Sequence, residues 1–232
     1  NPNDKNDQYA RLYSDAIVDV INSLDLPRYG LGNYIDSNAM IKPTQEEELI
    51  IVNLSRAGKR LKGFCRTNLF KRLESSGYSF LLSLARHILR NFVFVYAVEN
   101  NLPIPIGKNI VENLDDFIED NDTDADGEDN SISFILNEDE YLKQAKQVYE
   151  LFAKKYKNRF KWIRSDLFIP ALKKLLINDS RKIIKMKKAV DDIFKYPLIE
   201  FARDTLNRQL KAGISDDSLA SLVVSLRDDD KL

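Results

Sequence analysis

The chain has 232 residues, of which 44% are hydrophobic and 31% are charged, so it is long and apolar enough to bury a core and is not disordered overall. Eight Gly and seven Pro are few for this length, which argues against sandwiches and barrels and favours long helices. The net charge is −1. The single Cys excludes an intrachain disulfide and a Cys-rich zinc site, and the single His excludes a zinc site of several histidines.

The first predicted element is a helix near the N-terminus. Apolar residues repeat with the helical period of about 3.6 from Tyr9 to Leu24. Pro27 and Gly30 then predict a turn-rich connection. The polar opening without Met has no pattern of a signal peptide, and we expect the chain to be a fragment of something larger.

A second helix is predicted from Gln45, because Thr44 and Glu47 match a capping box. Gly58 and Gly63 lie further along this helix. Glycine is a poor helix former, so we expect the helix to bend or break at these two positions.

The most apolar stretch is Tyr78–Glu99, which predicts a long helix that ends before Leu102–Pro105. Its length would suit a membrane span. However, Arg86, His87 and Arg90 lie in its middle, and a charge at the centre of a bilayer costs about 2.5–3.5 kcal/mol. We therefore expect a helix buried in a soluble protein, without membrane contact.

The second half of the chain is also predicted to be helical. Asn137 is expected to cap a helix that runs from Glu138 to about Lys157. Ser165 is expected to cap another, with Pro170 tolerated near its start.

The last predicted elements are two short helices, Leu198–Lys211 and Asp216–Leu226, after a break at Pro197. Ile132–Leu136 is the only short strand candidate. Together these elements predict an all-α fold, an irregular multi-helix bundle with a long buried central helix and a flexible acidic loop.

Charge is sorted along the chain. Arg56–Arg72 carries seven basic residues and no acid, and Val111–Glu140 carries 13 acids and no base. Tyr141–Lys188 carries 15 bases and three acids. Such sorting predicts a binding face, an acidic screening segment, or both.

The basic run of the second helix is the candidate nucleic-acid-binding site. On a helix, Lys59, Lys62 and Arg66 share a face that can neutralise phosphates. A solvated surface, or pairing with the chain's own acidic segment, would explain the run equally well. The candidate residues are Arg56, Lys59, Arg60, Lys62, Arg66, Lys71 and Arg72.

Three other patterns have ordinary interpretations. Asp122–Glu128 resembles the start of a calcium loop, but Ser133 stands where a bidentate Glu is needed, so a mobile acidic loop is favoured. Cys65, in its basic setting, is interpreted as a packed structural thiol rather than a nucleophile. His87 is interpreted as marking a helix edge or a phosphate contact.

No catalytic residue, metal site or cofactor is predicted. Ala57–Arg60 contains Gly-Lys but lacks the earlier Gly and the Ser or Thr of a phosphate-binding loop, and no GxGxxG occurs. This chain alone is therefore not expected to hydrolyse ATP or to be an enzyme. Its single Cys suits a reducing cytoplasm.

The block Gly63–Gly77, which reads GFCRTNLFKRLESSG, is similar to a recurring block in large bacterial Swi/Snf-type helicases. These are superfamily-two ATP-dependent DNA translocases, and some carry a phospholipase-D-like domain. The similarity extends to Leu26–Tyr34, Arg86–Asn91 and Arg159–Phe168, and covers roughly residues 8 to 186.

The resemblance implies a helical region between the two RecA-like motor lobes of such a helicase. ATP and Mg²⁺ would then be bound by lobes missing from this chain, and no catalytic residue carries over. The stretch from about Lys187, with Phe201–Leu210 and Leu219–Leu226, is similar to a region beyond the second lobe. We therefore expect Lys185–Lys188 to join pieces that are distant in the full-length protein.

Four regions are predicted: a helical part with the basic run at 1–110, the acidic loop at 111–137, a basic helical part at 138–186 and C-terminal helices at 187–232. The leading hypothesis is a non-catalytic, cytoplasmic piece of a bacterial Swi/Snf-like helicase that positions DNA or braces the motor lobes. The alternative is a protein-interaction or scaffold module without nucleic-acid contact. Such a piece would expose apolar surface, and exposed apolar surface is compatible with a homo-oligomer.

Overall fold

The computed structural model describes residues 14–107 and 137–211, and this part of the chain is mainly α-helical. Its α-helices are α1 (Asp15–Asn22), α2 (Gln45–Ser75), α3 (Gly77–Glu99), α4 (Glu138–Lys154) and α5 (Ala171–Lys211). Short 3₁₀ segments cover Pro27–Tyr34, Lys157–Arg159 and Ser165–Leu167. The strands β1 (Ile104–Gly107) and β2 (Phe160–Ile163) form one antiparallel pair.

The chain divides into two compact units, Asn1–Val190 and Asp191–Leu232. The contacts described below all lie within the first unit, and the described part of the second, residues 191–211, is helical. The four predicted regions and the join at Lys185–Lys188 stay predictions. The acidic segment 111–136 and the helix predicted at Asp216–Leu226 lie outside the described residues.

Capping hydrogen bonds confirm two of the predicted helix starts. Thr44 Oγ1 accepts a hydrogen bond from the Glu47 N–H at 3.3 Å, and Glu47 Oε2 accepts one from the Thr44 N–H at 2.8 Å. Asn137 Oδ1 accepts from the Glu140 N–H at 2.9 Å. Both caps satisfy backbone donors that a helix start otherwise leaves free. Helix α4 ends at Lys154, three residues before the predicted end.

The long apolar helix is also confirmed, as α3. Phe80, Leu84 and Phe92 on this helix have no exposed surface. Among the described residues, α3 is the one helix long and apolar enough to cross a membrane by length and composition. Core helices of soluble proteins pass the same test, and 72% of its most apolar window is buried inside the protein.

Other helix breaks and starts also differ from the prediction. Gly58 and Gly63 do not interrupt α2, and Pro197 lies within α5. The helix predicted after Ser165 begins only at Ala171, and Ser165–Leu167 is a 3₁₀ turn instead. Pro170 explains the late start, because a proline disfavours helical backbone at the residue before it.

The strand pair corrects the expectation that described residues would all be helical or irregular. Ile104 pairs with Ile163, and Pro105 pairs with Trp162. Each strand has four residues, too few for alternation to show in the sequence. Ile104, Ile106 and Ile163 are buried, so tertiary contact rather than local pattern fixes the pair. The strand predicted at 132–136 lies outside the described residues.

The 3₁₀ segment Pro27–Tyr34 packs closely on α2 because glycines face each other there. A Cβ on Gly58 would stand 3.2 Å from the Gly30 Cα, and a Cβ on Gly32 would stand 2.6 Å from the Ser55 Cα and N. Gly58 is therefore a packing contact rather than a weak point of the helix. Gly63 differs, because a Cβ there would meet no atom of the described residues within 4 Å.

Opposite stability effects are expected at two glycines of this region. Gly32→Ala should lower the free energy of unfolding by about 2 kcal/mol, because its Cβ would press on the backbone of α2. Gly63→Ala should raise it by about 1 kcal/mol, since alanine restricts the unfolded chain and its Cβ clashes with no described residue. Urea denaturation of both variants measures the two changes, and changes of the same sign would contradict this packing.

Candidate nucleic-acid interface

An exposed cationic row runs along α2 and is formed by Arg56, Arg60 and Lys71. The spacings of four and eleven residues place these side chains on one face of the helix. Gly63 and Thr67 on the same face are also exposed. The opposite face carries the buried side chains Leu54, Leu61, Leu69 and Leu73. The amphipathic pattern of α2 thus directs this row to solvent.

Two of the three charges of the exposed cationic row, those of Arg56 and Lys71, are open to an anion within the described part of the chain. Within residues 14–107 and 137–211, neither Arg56 nor Lys71 forms an ion pair with an acidic side chain. The Arg60 guanidinium lies 5.3 Å from the centre of the Phe64 ring. A row of this kind can contact phosphates of a nucleic-acid backbone.

The other predicted basic residues are placed differently. Arg66 Nη2 donates to the Leu24 carbonyl oxygen at 2.6 Å, and Lys62 Nζ lies 5.9 Å from the centre of the Tyr34 ring. Both side chains are half-buried against the chain's own N-terminal segment. The phosphate-facing surface predicted for Lys59, Lys62 and Arg66 stays a prediction, and the last two side chains also make these contacts within the protein. Arg72 is half-buried, and the Lys59 side chain lies outside what the structure describes.

The segment that Arg66 contacts is held by two further side chains. The buried Asp179 carboxylate accepts the N–H groups of Asp25 and Leu26 at 3.1 and 2.7 Å. Lys182 Nζ donates to the Ser23 carbonyl oxygen at 2.8 Å. Burial raises the pKa of Asp179, although the two backbone hydrogen bonds favour its charged form. These contacts fix Leu26, whose φ of 49° is in the left-handed region.

His87 is buried, with 5% of its surface exposed, and its ring centre lies 5.8 Å from that of Tyr29. This corrects its interpretation as a helix edge or a phosphate contact. Its Nε2 atom has no hydrogen-bond partner among the residues that the structure describes. Burial lowers the pKa of His87 well below its usual value, and the charges of Arg28 and Arg90 lower it further. The neutral imidazole is thus the stable form in the folded protein.

The stability of the protein should therefore fall as the pH drops below about 6.5, the pKa of an unperturbed histidine. Because the folded-state pKa is depressed, the unfolded chain takes up a proton there that the folded chain does not, at up to about 1.4 kcal/mol per pH unit. His87 is the only histidine, so His87→Gln should flatten this dependence between pH 7.5 and 5.5. Urea denaturation across that range tests it, and parallel curves would contradict the assignment.

The remaining candidate chemistry is limited. Cys65 is buried and forms no disulfide, which agrees with a packed thiol. Among residues 14–107 and 137–211, no group of three or more His, Cys, Asp or Glu side chains could hold a metal ion. The incomplete calcium loop at Asp122–Glu128 lies outside the described residues.

Sequence reasoning assigned no site to the segment between α4 and α5, although cations and aromatic residues alternate in it. Lys155, Lys157 and Arg159 are exposed there, and Phe160 and Trp162 are half-buried beside them. This alternation is visible in the sequence, and it is a pattern typical of surfaces that bind single-stranded nucleic acid.

Comparison with known proteins identifies no relative: no family model, no curated protein and no solved structure matches the chain.

Proposed function

We propose that this chain is a non-catalytic, mainly helical part of a Swi/Snf-like helicase, and that the exposed cationic row of α2 contacts DNA phosphates. ATP and Mg²⁺ would be bound by motor lobes outside this chain. In this proposal the helices of the first unit form an irregular bundle around α3. The acidic segment 111–137 would compete with DNA for the row and so limit non-specific binding.

The DNA-binding proposal is carried by one observation: some basic residues of α2 contact other parts of the protein, and others are exposed to solvent. Lys62 and Arg66 serve internal contacts, whereas Arg56, Arg60 and Lys71 point into solvent on one helix face. Phosphate contacts of this type give affinity without sequence preference and make it sensitive to salt.

A second candidate function is supported by apolar side chains on the same helix. Leu49 and Val52 of α2 are 66% and 45% exposed, and Met40 and Ile41 just before the helix are 101% and 60% exposed. An exposed apolar cluster is typical of protein–protein contact. In this alternative the chain is a protein-interaction module that does not bind nucleic acid.

The experiment is fluorescence anisotropy with a labelled DNA duplex at several salt concentrations. Arg56→Ala/Arg60→Ala/Lys71→Ala should weaken binding and reduce the slope of log K against log salt by about 2.7, since each neutralised phosphate contributes about 0.9. Lys143→Ala/Lys146→Ala/Lys174→Ala is the matched control, because it removes three exposed cations elsewhere and should leave the slope nearly unchanged.

A gain-of-charge variant makes the same test in the opposite direction. Gly63→Lys places a fourth cation on the exposed row at a position with free space, so the slope should increase by about 0.9. Absence of duplex binding at low salt would contradict the DNA proposal. Equal losses in the row variant and its control would show that binding is not located on α2.

A further inference from the structure

The second cationic surface is the turn between α4 and α5, from Lys154 to Trp162. From Leu151 to Ser165 the chain carries six cations and no acidic residue: Lys154, Lys155, Lys157, Arg159, Lys161 and Arg164. Aromatic residues alternate with them at 156, 160 and 162. Lys154 is the last residue of α4, and the side chains after it lie on short 3₁₀ and β structure and on the residues that join them.

The charge of this turn is only partly neutralised by the protein itself. Lys154 pairs with Glu150 at 3.4 Å, and Lys161 lies 3.8 Å from a Glu46 oxygen. Lys155, Lys157 and Arg159 are exposed and have no acidic partner among the described residues. Three adjacent positive charges therefore face solvent.

Lys155 and Arg159 are also ordered by an aromatic ring. The Arg159 guanidinium and the Lys155 ammonium lie 4.9 and 5.2 Å from the centre of the Tyr156 ring. Cation–π contacts of this kind hold a charged group in place without neutralising it. The turn therefore offers partly fixed cations rather than freely moving ones.

The neighbouring aromatic side chains form a rigid cluster that is partly open to solvent. Phe160 and Trp162 lie on the same side of β2, with ring centres 6.1 Å apart, because alternate residues of a strand share a side. Phe152 and Tyr149 of α4 support them from within the protein, at 4.5 and 5.8 Å. Trp162 Nε1 donates to the Lys157 carbonyl oxygen at 3.1 Å and so fixes the turn.

We propose that the turn Lys154–Trp162 binds single-stranded nucleic acid, with phosphates on Lys155, Lys157 and Arg159 and bases stacked on Phe160 and Trp162. Unpaired bases have free faces to stack on aromatic rings, whereas bases inside a duplex do not. An acidic peptide would use the cations but gain nothing from the rings. This proposal goes beyond the exposed cationic row of α2, because it concerns another surface and another form of nucleic acid.

The test uses the fluorescence of Trp162, the only tryptophan of the chain. Titration of the full chain with an oligothymidylate single strand should quench this fluorescence to saturation. Polyglutamate, a polyanion without bases, and a DNA duplex should not quench it to the same extent. Arg56→Ala/Arg60→Ala/Lys71→Ala should keep the quenching, which separates this surface from the row of α2.

Two variants divide the proposed contacts. Lys155→Ala/Lys157→Ala/Arg159→Ala should weaken oligothymidylate binding and reduce its salt slope by about 2, since each single-strand phosphate contributes about 0.7. Phe160→Leu should weaken binding by about 10-fold without changing the slope. Lys143→Ala/Lys146→Ala/Lys174→Ala again serves as the charge-matched control, and should bind as the unmodified chain does.

Three results would overturn the proposal. Oligothymidylate could bind, as measured by anisotropy, without quenching Trp162. Polyglutamate could quench Trp162 as strongly as oligothymidylate does, and this result would indicate a surface for acidic chains only. The control variant could lose as much affinity as the variant of the turn. Trp162 emission in the absence of ligand reports whether each variant is folded, so a folding defect is distinguished from lost binding.

Discussion

Replacing Arg164 by Met is expected to lower the free energy of unfolding by about 3 kcal/mol, because it leaves the buried Glu47 carboxylate without its counterion. Glu47 Oε1 accepts from the Arg164 Nε at 3.1 Å and from the Arg164 N–H at 3.3 Å, and only 9% of its side chain is exposed. Arg164 Nη2 also donates to the Lys42 carbonyl oxygen at 3.0 Å. The side chain therefore ties the start of α2 to the end of β2.

The stability that the Glu47–Arg164 pair contributes is also expected to depend on pH. Burial by itself would raise the pKa of Glu47, but hydrogen bonds from Thr44 and Arg164 and the charge of Arg164 outweigh it and lower the pKa. A depressed carboxyl pKa contributes stability that is present at neutral pH and is lost as the pH falls through the folded-state pKa. Arg164→Met should therefore be most destabilising near pH 7 and less so in acid.

Two variants show whether the loss comes from an uncompensated charge. Adding Glu47→Gln to Arg164→Met should recover part of the lost stability, because a neutral amide needs no counterion. Lys154→Met breaks an exposed ion pair, whose side chains are 79% and 47% exposed, and should cost less than about 1 kcal/mol. If Arg164→Met costs no more than Lys154→Met in urea denaturation, the buried pair does not stabilise the fold.

Removing the Asp179 carboxylate is expected to have an equally large effect. Asp179→Ala should lower the free energy of unfolding by about 3 kcal/mol, since two backbone N–H groups lose a charged acceptor and the left-handed backbone of Leu26 loses its support. Asp179→Asn keeps one acceptor oxygen and should cost about half as much. Asp19→Asn on the exposed side of α1 is the control and should cost less than about 0.5 kcal/mol.

The sign of the pH effect at Asp179 is opposite to that at Glu47. Burial raises the pKa of Asp179, so the folded chain holds this proton more tightly than the unfolded chain. The resulting stability is greatest below the unfolded pKa, near 3.9, and is lost as the pH rises through the folded-state pKa. The difference between the unmodified chain and Asp179→Asn should therefore be larger at pH 4 than at pH 7, and a smaller one would exclude a raised pKa.

Much of the secondary structure could be predicted, because helix signals are local. The capping box at Thr44 and the Asn137 cap involve residues three apart, and the long apolar run of α3 is visible as composition. Boundaries that depend on other parts of the chain were missed. In the sequence Gly58 predicts a weak point of the helix, whereas in the structure it is where the 3₁₀ segment packs on α2.

The same distinction between local signals and contacts with distant residues applies to the candidate sites. That Arg56–Arg72 of α2 is basic and that the chain between α4 and α5 mixes cations with aromatic residues could both be read from the sequence, because both are properties of neighbouring residues. Which of those cations reach solvent depends on tertiary contacts that the sequence does not show. Arg66 bonds the Leu24 carbonyl from 42 residues away, whereas Arg56 contacts no acid in the described part of the chain. Both belong to one basic run, and they differ because packing partners distant in sequence surround only one of them.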